Sequence, residues 1–443
     1  MENPATAIQA ATDLRRLFAP LADQPGAVWL DSSLGFGDRG RYSFIARNPA
    51  VDVCVDGENL AVRKPGGKLQ VFHQSSTWDL LERLWADERR FSIGYISYEA
   101  ALPFVGLESV NRSGATPSVR FLFYDSVLRL DHLTQELSAT NPAVDDYSDL
   151  TDTDRPDTTA SAADPGVVRP VISRQDYLER VRTIKRHIRE GDIYQANFTT
   201  RLDVRSCQHP FDVYDRLRRL NPAPYSAWMN FGDCRVLSSS PERMFLKRND
   251  GITTGPIKGT IATGKSEIET LRNQRRLLDS DKDRAELLMI VDLERNDLGR
   301  IARTGSVHVD ELYRLETYSS VIHLVSDISA RLRPGTTMKD ILAALLPGGS
   351  ITGAPKKKAV EILREVETAP RSVYTGVIGY VHGDRADFSI AIRTMTHKDG
   401  VFHIYAGGGI VADSEPEAEY DEMHLKASNM LRSLGVEPED VSW

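Results

Sequence analysis

Residues 173–204 read SRQDYLERVRTIKRHIREGDIYQANFTTRLDV, and two periods meet in them. Ser173, with Asp176 three residues on, has the spacing of a capping box. Tyr177, Val181, Ile184 and Ile188 recur at helical spacing, and Gly191 ends that helix. The run IYQANFTTRLDV then reads as a strand. Gln195, Asn197 and Thr199 share one of its faces, and Tyr194, Ala196 and Phe198 the other. A helix handing over to a long strand sets the pattern for the whole chain.

Working outward, RVLSSS, SVYTGVIGYV, DFSIAIRTMTH and VFHIYAGGG are further predicted strands. Helices are predicted around 281–300, 339–346, 355–367 and 415–434. The N-terminal part adds β-like runs at AVWLDSS, RYSFIARNP, VDVCVDG, SIGYISYEA and VRFLFYDSVLRLD. There is no regular βαβ rhythm, no internal repeat and no heptad. That combination favours an α+β fold with antiparallel sheet.

One segment breaks the composition. Residues 140–167 hold seven Asp, one Arg and no Lys or Glu, with almost no large apolar residue. Such a stretch buries too little surface to offset its ordering entropy. The reading is an exposed linker or surface loop between an N-terminal region, 1–139, and a C-terminal region, 168–443. It holds six of the eight net negative charges of the 443-residue chain, so the rest is nearly balanced. That balance argues against nucleic-acid partners, which need a basic surface, but not against a small anionic ligand. Three scattered cysteines exclude a disulfide framework or a structural zinc site. With no leader-like start and no apolar run of about 20 residues, no membrane partner is expected and a cytoplasmic home is.

Four constellations offer chemistry, each with a bland alternative. Gly259–Ser266 fits the phosphate-loop pattern GxxxxGK[ST]. A phosphate loop should follow a buried apolar strand directly, yet GPIK precedes it. Thr260, Ile261 and Thr263 are β-branched and suit an extended chain. Asp283 with Glu286, and Glu419 with Glu422, project in pairs from two helices. They are either solvated acidic faces or ligands for Mg²⁺, which takes few carboxylates, several waters and an anionic substrate. Ser414 is the expected N-cap of the second helix, with Glu417 three residues on and Pro416 in its first turn.

Lys258, in GPIKGT, is either an exposed loop lysine or a desolvated nucleophile. Glu242, in SSSPER, is either paired with Arg243 or a general acid with a raised pKa. Gly407, Gly408 and Gly409 follow an apolar strand and would expose main-chain N–H groups to an anion. Lys356, Lys357 and Lys358 open a helix, where they oppose the macrodipole unless they are solvated or hold an anion. Arg393 is expected on a strand face with Ser389 and Ala391. His323 reads as a structural histidine as readily as a catalytic one.

The motifs GDIYQANFT, NPAPYSAWM, SSSPERMF, GPIKGT, DRAELLMIVDLERNDLGRI, SSVIHLVSDI, GGSITGAPK, YTGVIGY, SIAIRTM and AGGGIVADSEPEAEYDE occur in one order. From about 170 to 435 the chain therefore resembles the chorismate-utilising enzymes, which include the anthranilate, aminodeoxychorismate, isochorismate and salicylate synthases. The resemblance implies large antiparallel sheets packed together and flanked by helices. It also absorbs the phosphate-loop match as the continuation of PIKGT. The N-terminal part resembles the family's N-terminal region more weakly.

Within the family, Gln195 stands where water-adding members carry a lysine, which points to the ammonia-using branch. PIKGT, with Lys258, resembles the aminodeoxychorismate synthases rather than the anthranilate synthases, which have PIAGT. The implied reaction is amination of chorismate at C4 to 4-amino-4-deoxychorismate, on the way to 4-aminobenzoate and folate. The resemblance makes Lys258 the nucleophile at C2 and Glu242 the general acid, with His323 near the ring. It gives Mg²⁺ to Glu286 and Glu422, with Asp283 and Glu419 acting through waters. It gives substrate binding to Gln195, Thr260, Tyr380, Arg393, Gly407, Gly408, Gly409 and Lys426.

None of Cys54, Cys207 and Cys234 has the GxCxG context of a glutaminase, so ammonia is expected from a separate glutamine amidotransferase subunit. Aromatisation to 4-aminobenzoate is expected to need a separate lyase. Met423 stands where the family often has Thr after the metal-binding glutamate. Leu30-Asp31-Ser32 stands where relatives have Leu-Glu-Ser, part of a tryptophan pocket, so Ser32 marks a candidate regulatory or structural tryptophan site. The rival readings are an anthranilate synthase, a P-loop nucleotide-binding protein and a non-catalytic partner of an amidotransferase.

Overall fold

The Ser173 capping box forms, and the helix behind it buries Tyr177, Leu178, Val181 and Ile184 before Gly191 turns the chain at φ +81°. In a computed structural model of the chain, the described residues are 13–33, 38–108, 116–144, 147, 150, 166–317 and 321–441.

The elements that position the site are these. Val28–Asp31 (β1), Tyr42–Ala46 (β2) and Phe91–Ile96 (β3) come from the N-terminal region. Helix Arg174–Arg189 (α1) leads into Gln195–Arg205 (β4). Tyr225–Asn230 (β5), Arg235–Ser240 (β6), Arg243–Arg248 (β7), Gly251–Gly255 (β8) and Ile257–Ala262 (β9) follow. Helices Glu267–Leu278 (α2) and Asp281–Gly299 (α3) precede Val321–Arg331 (β10) and helix Lys356–Val366 (α4). Val377–His382 (β11), Arg385–Ile390 (β12), Thr394–Lys398 (β13), Val401–Ile410 (β14) and helix Pro416–Ser433 (α5) complete the set.

Two large antiparallel sheets result. The first runs β4-β14-β13-β6-β5-β1-β2 through its middle, and the second runs β9-β10-β8-β7-β12-β11-β3. Their inner faces meet through a buried cluster that includes Val28, Phe44, Ile93, Tyr95, Met229, Val236 and Ile378. The outer face of the first sheet is covered by α1, α4 and α5. The outer face of the second is covered by α3 and the helix Met338–Leu345. The α+β class and the packed antiparallel sheets are as expected.

The regions 1–139 and 168–443 share both sheets: β1 pairs with β5, and β3 pairs with β11. Two details differ from the sequence reading. DFSIAIRTMTH is not one strand, because it leaves the second sheet after Ile390 and enters the first at Thr394. The acidic segment is partly docked: Tyr147 is buried and donates its hydroxyl to the Ser126 carbonyl at 3.1 Å. Most of that segment, 151–165, lies outside the described residues. Among the described residues no helix is long and apolar enough to cross a membrane.

Candidate active site

Two corners between the sheets assemble the site. The chain crosses from the first sheet to the second between β6 and β7, and Glu242 sits at that corner. It crosses back between β12 and β13, where Arg393 takes the left-handed φ of +49°. That conformation is rare for a residue with a side chain and persists only where its surroundings hold it. Here the corners hold each other. Ile390 N donates to the Glu242 carbonyl at 3.0 Å, and Ser239 N donates to the Arg393 carbonyl at 3.1 Å. The Ser240 hydroxyl donates to the Ile390 carbonyl at 2.6 Å.

The Glu242 carboxyl is buried and receives a long hydrogen bond from Ile257 N at 3.5 Å. Lys258 follows Ile257 directly, on β9. Burial pushes Glu242 up, against the lowering influence of Lys258. Burial pushes Lys258 down, against Glu286 and Glu242. Desolvation thus pushes both toward their neutral forms. Thr260 faces His323 across the β9–β10 ladder, with Oγ1 2.9 Å from Nδ1. Burial, with Arg393 and Arg39 nearby, pushes His323 down to about 3, so the ring is neutral.

Arg393 is the cation of the site. Burial lowers its pKa, and it donates to the Asn221 side-chain oxygen at 2.5 Å. A guanidinium with no carboxylate partner among the described residues suits an anionic ligand.

Gly407–Gly409 lie inside β14. They pair with Thr199, Phe198 and Asn197 of β4. On its other side β14 pairs with β13 only over Val401–Ile404, so the glycines have one strand neighbour among the described residues. The missing side chains make room for others. A Cβ on Gly408 would stand 3.1 Å from Glu419 Oε2 and 3.6 Å from Lys426 Nζ. A Cβ on Gly409 would stand 2.5 Å from Gln195 Nε2. Gln195 is wholly buried, and neither end of its amide has a hydrogen-bond partner. Lys426 bonds the Gly407 carbonyl at 3.0 Å and pairs with Glu422 at 2.7 Å.

The acids divide by environment. Burial raises Glu286 and Glu419. Burial also opposes ionisation of Glu422, but Lys426 overrides it and the net shift is down. Asp283 packs against Gly259. Ser414 is not the N-cap of α5, a place taken by Glu415. Its hydroxyl donates instead to Glu419 Oε1 at 2.6 Å. The four carboxylates influence one another but do not close into a cage. Among the described residues, three such ligand atoms gather within 4.8 Å only at His187, Glu190 and Asp192, on the surface. An open set of this kind fits Mg²⁺, which keeps waters and takes one or two carboxylates.

One expected substrate-binding residue falls elsewhere. Tyr380 lies at the sheet interface in a separate cavity, stacked on Phe91 and bonded to Arg385 at 2.6 Å. Strand parity puts it there. The tyrosine beside the glycine strand is Tyr374, whose ring stacks on Tyr405, two residues before Gly407. Ser32 lines the same separate cavity as Tyr380, and its hydroxyl donates to the Tyr42 and Pro224 carbonyls. Asp31 beside it is paired with Arg218 at 2.6 Å. Lys356 is spent on Asp297 at 2.6 Å, so the lysine-rich helix start is a salt bridge rather than an anion cradle. The phosphate-loop match is excluded by geometry, since Gly259–Ala262 form strand β9 and Ser266 caps α2.

Known proteins match the chain over most of its length. The description "chorismate binding enzyme" matches residues 35–432. This chain belongs to the chorismate binding enzyme family.

Two relatives of the family bracket the reaction. Anthranilate synthase component 1 of Acetivibrio thermocellus is 33% identical, over 94% of this chain and 92% of its own. Aminodeoxychorismate synthase component 1 of Bacillus subtilis (strain 168) is also 33% identical, over 94% and 93%. The crystal structure of anthranilate synthase component I from Streptococcus pneumoniae TIGR4 superposes with a TM-score of 0.77. It is 30% identical and covers 90% of this chain and 94% of that one. The protein is a chorismate-utilising enzyme.

Proposed function

We propose that this enzyme aminates chorismate at C4 with ammonia, giving 4-amino-4-deoxychorismate, as aminodeoxychorismate synthases do. One observation carries the reading. Lys258 lies beside the buried acid Glu242, and burial drives both toward their neutral forms. An anthranilate synthase reading has no use for an amine there.

The residues divide the work. Arg393 takes a substrate carboxylate. The Lys258 amine adds at C2, the two conjugated ring double bonds each shift one position, and the C4 hydroxyl leaves as water with the Glu242 proton. Ammonia then adds at C4, both double bonds shift back and Lys258 is expelled as the amine. One hard displacement becomes two allylic ones. His323, neutral and bonded to Thr260, offers a dipole rather than a charge. Gln195 presents an unpartnered amide to the incoming ammonia. Glu286 and Glu422, with Asp283 and Glu419 behind waters, would hold Mg²⁺, which supplies charge neutralisation for the ring carboxylate.

Ammonia would come from a separate glutamine amidotransferase subunit. The cavity at Ser32 and Tyr380 is the candidate place for tryptophan, tested by calorimetry with the free amino acid.

The proposal is tested by Lys258→Ala with ammonium chloride, Mg²⁺ and chorismate. Loss of aminated product supports it, and an unchanged rate removes Lys258 as nucleophile.

A further inference from the structure

A second cavity, of about 360 Å³, opens beside the C-terminal end of α4, away from Lys258. Four carboxylates line it, Glu99, Glu361, Glu365 and Glu367, against two guanidinium groups, Arg364 and Arg371. Its wall also holds Tyr98, which is 4% exposed and whose hydroxyl has no hydrogen-bond partner. A buried orphan phenol is costly unless something polar meets it.

A chain of hydrogen bonds leads from the cavity wall to one face of β4. Glu99 accepts Arg371 N at 2.7 Å and Ser372 N at 3.0 Å. Arg371 lies over the Tyr98 ring, pairs with Glu367 at 2.7 Å and donates to the Asn197 carbonyl at 2.6 Å. Glu367 accepts both the amide and the hydroxyl of Thr199 at 3.1 Å. Thr199, Asn197 and Gln195 share that strand face, and Gln195 ends the series with its unpartnered amide beside Gly409.

We propose that this acidic cavity is the entry for ammonium, and that Glu99 takes its proton so that ammonia continues along the β4 face to Gln195. The inference rests on the amination reading above. The step balances: NH₄⁺ gives a proton to the Glu99 carboxylate, leaving NH₃ and a carboxylic acid, and the acid returns the proton to solvent at the mouth. Burial, with Arg371 close by, sets the Glu99 pKa at about 7, suited to a base near neutrality. The charged groups facing it are Arg371, Glu367, Glu361, Glu365 and Arg364, with the Tyr98 and Tyr405 phenols.

The test is steady-state kinetics with ammonium chloride varied and chorismate and Mg²⁺ saturating, on wild type, Glu99→Gln and Tyr98→Phe. The KM for ammonium should rise about tenfold in Glu99→Gln, the loss of one charge-assisted hydrogen bond. It should rise less in Tyr98→Phe, which removes a hydroxyl with no hydrogen-bond partner among the described residues. The KM for chorismate should stay unchanged in both variants, even where Glu99→Gln lowers the Tm by losing one of its two main-chain acceptors. The advantage of wild type over Glu99→Gln should narrow below pH 7, as Glu99 becomes protonated. Unchanged ammonium KM in both variants overturns the inference, as does a rise matched by the KM for chorismate. Amination with unaltered ammonium KM leaves the proposed function standing. No aminated product from wild type removes both.

Discussion

Gln195 occupies the space that a side chain at Gly409 would need, its Nε2 lying 2.5 Å from where that Cβ would stand. The pairing explains why a glycine sits within a strand that gains nothing from its flexibility. Gly409→Ala should displace the amide and lower kcat/KM for ammonium by about tenfold, within the 1–3 kcal/mol of overpacking a fitted core. Steady-state kinetics check it. A smaller change in the KM for chorismate would separate misplacement of the amide from collapse of the site.

The carboxylates of α3 and α5 give a metal prediction. Chelation with EDTA should abolish turnover, and Mg²⁺ should restore it. Glu286→Gln and Glu422→Gln should each raise the Mg²⁺ concentration for half-maximal rate by at least about tenfold, as the loss of one ligand requires. Titrating Mg²⁺ into the chelated enzyme reads the effect.

Glu294 gives a stability prediction that is independent of function. It is buried, one carboxyl oxygen lacks a partner, and burial pushes its pKa up to about 8. The folded state therefore holds this proton more tightly than the unfolded chain does. Its contribution is intact below the unfolded pKa and is lost as pH rises through the folded value. Between about pH 4.5 and 8 wild type should lose on the order of a few kcal/mol that Glu294→Gln keeps. Urea unfolding at pH 5 and pH 8 tests this, with the variant gaining on wild type at the higher pH.

His323 should remain neutral throughout the working range, because burial holds it near 3. Nitrogen NMR of the ring should detect no protonation between pH 5 and 8. A titration in that window would contradict the environment described for it.

The residues explain how far the sequence reached. Helix α1 was legible because Ser173, Asp176 and the Tyr177–Ile184 stripe are local signals. The sheet switch at Arg393 was not, because apolar alternation through Phe388, Ile390 and Ile392 states a face but not a sheet. Gly407–Gly409 read as donors of main-chain N–H groups to an anion because glycine leaves the backbone bare. Here they clear space for Gln195 and Glu419, partners distant in sequence. Lys258, Glu242, His323 and Arg393 came from ordered motifs, and the structure brings them together. Tyr380 did not follow: two tyrosines lie in YTGVIGY, and only the fold distinguishes the one stacked on Tyr405. The Lys356–Asp297 pair joins two helices, so no local pattern announces it.

Identification of the product formed from chorismate, ammonium chloride and Mg²⁺ tests the central claim most directly. Chromatography with mass detection should find 4-amino-4-deoxychorismate, absent with Lys258→Ala. Anthranilate as the product, or an undiminished rate in that variant, would contradict the account.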